Sequence, residues 1–165
     1  MMFRQIAIAL ICLTVCSCAG YKLGNTKPIS YKQIKSLAIP QFKNETLYPK
    51  LSALASNATL DAFVQDGSYA IRSHPDAELL GTIKKIEYKQ FRANRFDTLA
   101  SDELKVIVHL DWKLVQNGNI IGKGNAAGTS TFNVDGNLSI ARQNALPLAV
   151  SRASQQIVSQ LSIGF

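Results

Sequence analysis

The sequence predicts an α+β fold: a two-layer sandwich in which a mixed four-stranded sheet carries two helices on one face, in the order β-α-β-β-β-α. Three observations predict it. Two segments, about 47–65 and 141–162, repeat their apolar residues with the helical period. Between them, residues 103–116 alternate apolar and polar, as a strand with one buried and one wet face does. Asn117-Gly118 then supplies the dipeptide of a tight hairpin, so the following strand runs antiparallel to it.

The elements follow in order. Residues 36–42 read as a short strand in which Leu37 and Ile39 alternate with Ala38 and Pro40, and Pro40, which has no N–H to give to a ladder, marks a strand end or an edge. In the first helix, Leu51, Leu54, Ala55, Ala58, Ala62 and Phe63 fall on one stripe, Pro49 suits the first turn, and Asp66-Gly67 is the stop. The next strand covers about 78–91, with a start as early as Tyr69. Its apolar phase switches between Leu79/Ile83 and Ile86/Tyr88, which predicts a bulge near Lys84-Lys85.

In the 103–116 strand, Leu104, Val106, Val108, Leu110, Trp112 and Leu114 form the buried face. The last strand, 119 to about 134, contains Gly122, Gly124 and Gly128, so a second surface can approach it closely. The closing helix carries the stripe Ala145, Leu146, Ala149, Val150, Ala153, Ile157 and Leu161. Pro147 conflicts with a helix interior, and the preferred reading starts the helix near Asn144 so that Pro147 falls in its first turn. A crossover helix between the first two strands permits parallel pairing there, and the wet face of 103–116 puts both helices on the other side of the sheet.

The chain begins with a different kind of segment. Arg4 precedes a ten-residue apolar run, Ile6–Val15, followed by Cys16-Ser17-Cys18. That run has the length of the h-region of a signal peptide and is well short of the ~18 residues that span a bilayer. An apolar residue, a small residue and then cysteine resemble the bacterial lipobox. Residues 1–17 are read as a lipoprotein signal peptide, Cys18 as the lipidated N-terminus, 18–34 as that terminus and a tether, and 35–165 as one domain; the competing reading is an ordinary secretory signal cut nearby, with Cys18 a spare thiol. Cys12, Cys16 and Cys18 are the only cysteines, so the exported body has none and must be held by packing rather than by disulfides. One acyl chain holds a protein to a bilayer only marginally, and two or more hold it firmly.

A formal net charge of +7 points to anionic partners, and export argues against nucleic acid. No catalytic constellation emerges. His74 and His109 lack a second His or Cys at ligand spacing, so no metal site is expected; there is no Gly-x-Ser-x-Gly; and the Gly118–Gly124 segment lacks the Ser or Thr and the helix of a phosphate-binding loop. The chain is read as a non-enzyme without cofactors. The basic residues are uneven: Lys84, Lys85, Lys89, Arg92 and Arg95 cluster against a single acid, Glu87. Phe91-Arg92-Ala93-Asn94-Arg95-Phe96 falls at the tip between two strands, where guanidiniums for bidentate phosphate contact sit beside rings that offer apolar surface. The competing reading is a solvated loop with its phenylalanines turned into the core, and the 84–89 lysines read as a wet strand face.

Several segments resemble a known family. Cys18-Ala19-Gly20-Tyr21-Lys22-Leu23, Ile39 to Thr46, Asp76 to Ile83, the Phe91–Arg95 tip and Ala145 to Leu161 are similar, in this order and spacing, to LptE, the lipopolysaccharide-assembly lipoproteins of the outer membrane. The resemblance implies two helices on a four-stranded sheet and a protein that plugs and helps assemble the LptD β-barrel, and that binds lipopolysaccharide on its way to the outer leaflet, without catalysis. It makes Arg92 and Arg95 the leading candidates for phosphate contact, with Lys89 weaker. It also implies a lipid anchor on the periplasmic side of the outer membrane. The alternative is a periplasmic lipoprotein of the curli-secretion or peptidoglycan-synthase-activator type, whose first strand and helix this chain also resembles and which acts as a pore subunit or a protein activator.

Overall fold

The computed structural model describes residues 27–93, 101–133 and 137–163. Cys18 and the whole 1–17 leader lie outside the described residues, as does Arg95. After a 3-10 turn at Ile29–Tyr31, the chain forms β1 (Ser36–Ala38), β2 (Lys43–Asn44), α1 (Leu51–Asp66), β3 (Ala70–Ile71), β4 (Ala77–Ala93), β5 (Ser101–Gln116), β6 (Asn119–Asn133) and α2 (Leu138–Ser162). All six strands join one mixed sheet in the order β3-β1-β4-β5-β6, with β2 also paired to β4. The α+β class is as expected, but the sheet has more than four strands.

The two additional strands have local causes. Of the expected 36–42 strand only Ser36–Ala38 forms, ending before Pro40, and Lys43–Asn44 just beyond it makes a second short strand; each pairs in parallel with β4 at a separate place, Leu37 opposite Ala77 and Lys43 opposite Thr82. The backbone of Phe42 is satisfied from α1 instead: its N–H donates to Ser56 Oγ at 2.8 Å, and its carbonyl accepts from Ser52 Oγ. The Phe42 ring, fully buried, occupies the place where a side chain on Gly81 of β4 would stand. The segment after α1 forms β3, separate from β4 and paired with β1, so β4 begins at Ala77. Asp76 closes this corner, accepting the N–H groups of Lys35 and Ser36 at 2.9 Å each.

The long strands follow the alternation. Val106, Val108, Leu110, Trp112 and Leu114 of β5 are buried, while Asp111 and Lys113 on the other face are exposed. The β4–β5 register shifts between Ile83 and Lys85, so Leu79 and Ile83 before the bulge and the half-buried Ile86 and Tyr88 after it all face the helices. Asn117 and Gly118 have φ of 51° and 78°, the two left-handed positions of a type I′ hairpin turn.

Both helices cover the same face. α2 packs on β5 and β6, and α1 packs beside it over β4. α1 starts two residues after Pro49, so that proline precedes the helix instead of opening it, and α1 stops at Gly67, whose φ is 69° and whose N–H donates to Phe63 O. Between the helices the fully buried Thr59 Oγ1 donates to Ser154 Oγ at 3.0 Å. α2 begins at Leu138, not near Asn144: Asn137 caps it by accepting from the N–H groups of Ser139 and Ile140, and Pro147 lies inside the helix. A proline in a helix interior costs about 3 kcal/mol. Here Ala145, Leu146, Ala149, Val150, Ala153, Ile157 and Leu161 are all buried, at ~0.8 kcal/mol per buried CH₂, and that stripe offsets the cost.

Candidate anionic-ligand site on the β4–β5 hairpin

β4 and β5 pair antiparallel from Glu78 opposite Val115 to Ala93 opposite Ser101, and the basic residues lie along this ladder. Strand geometry separates them. Lys85, Glu87 and Lys89 alternate along β4 after the bulge and so share one face, opposite His109, Ile107 and Lys105 of β5. Glu87 pairs with Lys85 and, at 3.1 Å, with Lys89. These hydrogen bonds, from Lys85 first and then Lys89, hold the Glu87 carboxyl down to a pKa of about 2. His109 Nε2, 3.6 Å from the same carboxylate, has no hydrogen-bond partner among the described residues. Lys84, on the bulge, pairs with Glu45 at 2.6 Å.

Three lysines of the expected cluster are thus already paired within the fold. Lys89 in particular is held by an acid and faces Lys105 across the strands. Lys105 resolves that like-charge opposition by placing its ammonium 4.5 Å over the Phe91 ring. Phe91 is half-exposed, at 51%, so it is not turned into the core. Arg92 is exposed beside it, opposite Glu103, between two register shifts, and makes no ion pair among the described residues. Arg95 and Phe96 lie outside the described residues. The site that can be described is therefore an exposed guanidinium next to a ring that already carries one cation, suited to a ligand with phosphate beside apolar chains.

Sequence reasoning missed two cation–ring contacts, one on each face of the sheet. Lys105 belongs to the alternating polar face of β5, and its spacing gave no sign that it would turn onto Phe91. Arg142 stacks 4.9 Å over the Tyr88 ring, next to the edge-to-face pair of Tyr88 and Phe132. Starting the helix near Asn144 left Arg142 out of it. Burial raises the Tyr88 hydroxyl's pKa well above the ordinary tyrosine value, and its bond to Tyr48 Oη, 3.3 Å, raises it further. Tyr48 in turn lines an open cavity of about 720 Å³ with Pro49, Leu54, Leu146 and Pro147, between the start of α1 and α2. No group of His, Cys, Asp and Glu able to hold a metal occurs among the described residues, and no described helix is long and apolar enough to cross a membrane.

A mixed sheet with two helices on one face defines the class: a small α+β domain whose fold recurs in solved bacterial proteins, some of them described as lipoproteins. One from Caulobacter crescentus CB15 superposes with a TM-score of 0.51 at 19% identity, over 74% of this chain and 87% of its own. The PelC dodecamer protein from Paraburkholderia phytofirmans gives 0.53 at 14%, over 84% and 95%. A minor lipoprotein from Acinetobacter baumannii gives 0.52 at 12%, over 78% and 91%. At these identities the likeness is one of fold. No curated protein matches by sequence. The family model for LptE, lipopolysaccharide assembly, matches residues 34–161, and the chain belongs to that family.

Proposed function

We propose that this chain is an outer-membrane lipoprotein, cut after residue 17 and anchored on the periplasmic side through acyl chains on Cys18. It plugs an LptD-like β-barrel, helps that barrel assemble, and binds lipopolysaccharide during transport to the outer leaflet. The observation that carries this reading is the family match across 34–161, nearly the whole domain. Its chemistry is binding, without a catalytic step.

The binding role is supported by the contrast between the cations of the hairpin. Lys84, Lys85 and Lys89 are committed to Glu45 and Glu87, whereas Arg92 is exposed and free of ion pairs among the described residues. Arg92 and Arg95 are the phosphate-contacting residues of this reading, and Lys89 is secondary. Reversing both charges, Arg92→Asp with Arg95→Asp, weakens binding of purified lipopolysaccharide at least tenfold and leaves unfolding free energy within about 0.5 kcal/mol, as for exposed sites. Unchanged affinity refutes the assignment, and an equally large loss of stability makes these residues structural.

A further inference from the structure

β6 is an edge strand of fifteen residues, Asn119–Asn133, long enough to template another strand. At three successive outward-facing residues along its centre, one backbone group is already engaged by α2. Arg152 Nη1 donates to Thr129 O at 2.6 Å, Gln156 Oε1 accepts from Ala127 N–H at 2.7 Å, and Gln160 Nε2 donates to Asn125 O at 2.9 Å. The donors and acceptor come from α2 at i, i+4 and i+8, and they meet β6 at every second residue in reverse order.

The match is geometric. Four helical residues rise about 6 Å, and two strand residues advance about 6.8 Å. A helix antiparallel to the strand can therefore keep step with it over two intervals. Close approach keeps the side chains in reach: at Gly128, a side chain would run into the backbone of Ala149 and Ala153. The row places one bond at each of three residues where a neighbouring strand would place two, alternating donor, acceptor, donor.

We propose that Arg152 and Gln156, with Gln160, form a side-chain guard that shuts the β6 edge, and that the edge beneath it is a self-complementary pairing surface for a second copy of this chain. The occupant follows from the strand. Antiparallel pairing about Ala127 sets Asn125 opposite Thr129 of the second copy and Lys123 opposite Thr131, so the only charged residue of β6 meets a hydroxyl and no like charges oppose. The residues at the centre, Asn125 to Thr129, are small or uncharged and impose no bulk.

The test uses the full chain in detergent. Gln160 also accepts the Trp112 indole N–H at 2.7 Å, so it is left in place. Arg152 and Gln156 are exposed, and their truncation spares the core. With Gln156→Ala alone, the Ala127 amide exchanges hydrogen at least about tenfold faster, as for a released local bond. Arg152→Ala with Gln156→Ala gives a concentration-dependent dimer in sedimentation, in which the Ala127 amide is protected again. Adding Ala127→Pro, which removes the outward N–H and no β5 bond, returns the monomer. Unchanged exchange in Gln156→Ala overturns the guard. A double variant that stays monomeric, or a dimer indifferent to Ala127→Pro, overturns the pairing surface.

Discussion

Lys89 Nζ lies 3.1 Å from Glu87 Oε2, on a carboxylate that also holds Lys85. This relationship decides how much of the basic hairpin is available to an anion. Five cations against one acid reads as a strong patch in sequence, but one well-placed glutamate on the same strand face occupies two of them. Glu87→Gln releases both lysines. Exposed ion pairs are weak, so on the proposed function affinity for lipopolysaccharide rises modestly when the two cations can turn to the ligand. Titration calorimetry of the variant against the wild-type chain measures this, and no gain in affinity removes Lys85 and Lys89 from the binding surface.

The same carboxylate gives the fold an acid limb. Glu87 has a folded-state pKa of about 2 against an ordinary value of 4.5, so its contribution to stability is complete above pH 4.5 and is lost as pH falls toward 2. Asp76 acts in the same direction, its pKa lowered chiefly by the Lys35 N–H and then by Ser36. Tyr69 acts at the other end. Burial pushes its pKa to about 12, so the stability of its neutral phenol, which donates to Leu161 O at 2.9 Å, is present below pH 10 and lost as pH rises toward 12. Urea midpoints measured from pH 2 to 12 show both limbs. Glu87→Gln flattens the acid one, and Tyr69→Phe flattens the alkaline one.

Gly128 is the point of closest contact between the sheet and α2. Its absent side chain would collide with Ala149 O and Ala153 N, backbone atoms that cannot swing aside. Gly122 and Gly124 differ: there the space is filled by the side chains of Tyr31 and Trp112. Gly128→Ala lowers stability by about 1–3 kcal/mol, as overpacking does. Gly122→Ala costs less, because the exposed end of β6 and the Tyr31 ring can adjust. Chemical denaturation of the two variants side by side tests the ranking, and equal costs contradict it.

Much of this architecture is legible in the residues themselves. The alternation of 103–116, the Asn117-Gly118 turn and the phase switch at Lys84-Lys85 each have one local physical cause, and each leads to the observed structure. The glycines of β6 announce a close neighbour, and α2 is that neighbour at Gly128. What is not legible depends on partners far away in the chain. Pro147 argues locally against a helix interior, and only a stripe packed on β5 and β6 outweighs it. Nothing near Pro40 says that Ser52 and Ser56, ten or more residues on, will satisfy the Phe42 backbone, or that a second short strand will form just beyond it at Lys43–Asn44. The site divides in the same way. The sequence puts Arg92 in the tip between two strands, but it lies within β4 opposite Glu103, exposed, whereas the pairing that occupies Lys89 and the turn of Lys105 onto Phe91 arise only once β4 and β5 are in register.

Residues 34–161 place the chain in the LptE lipopolysaccharide-assembly family, and the proposed function rests on a barrel partner, so recovery of that partner is the most direct test. Affinity purification of the full chain from detergent-solubilised envelopes, with the recovered proteins identified and quantified by mass spectrometry, is predicted to yield a large outer-membrane β-barrel in near-equal amount. Recovery instead of a penicillin-binding protein, or of a ring built only from copies of this chain, contradicts the account.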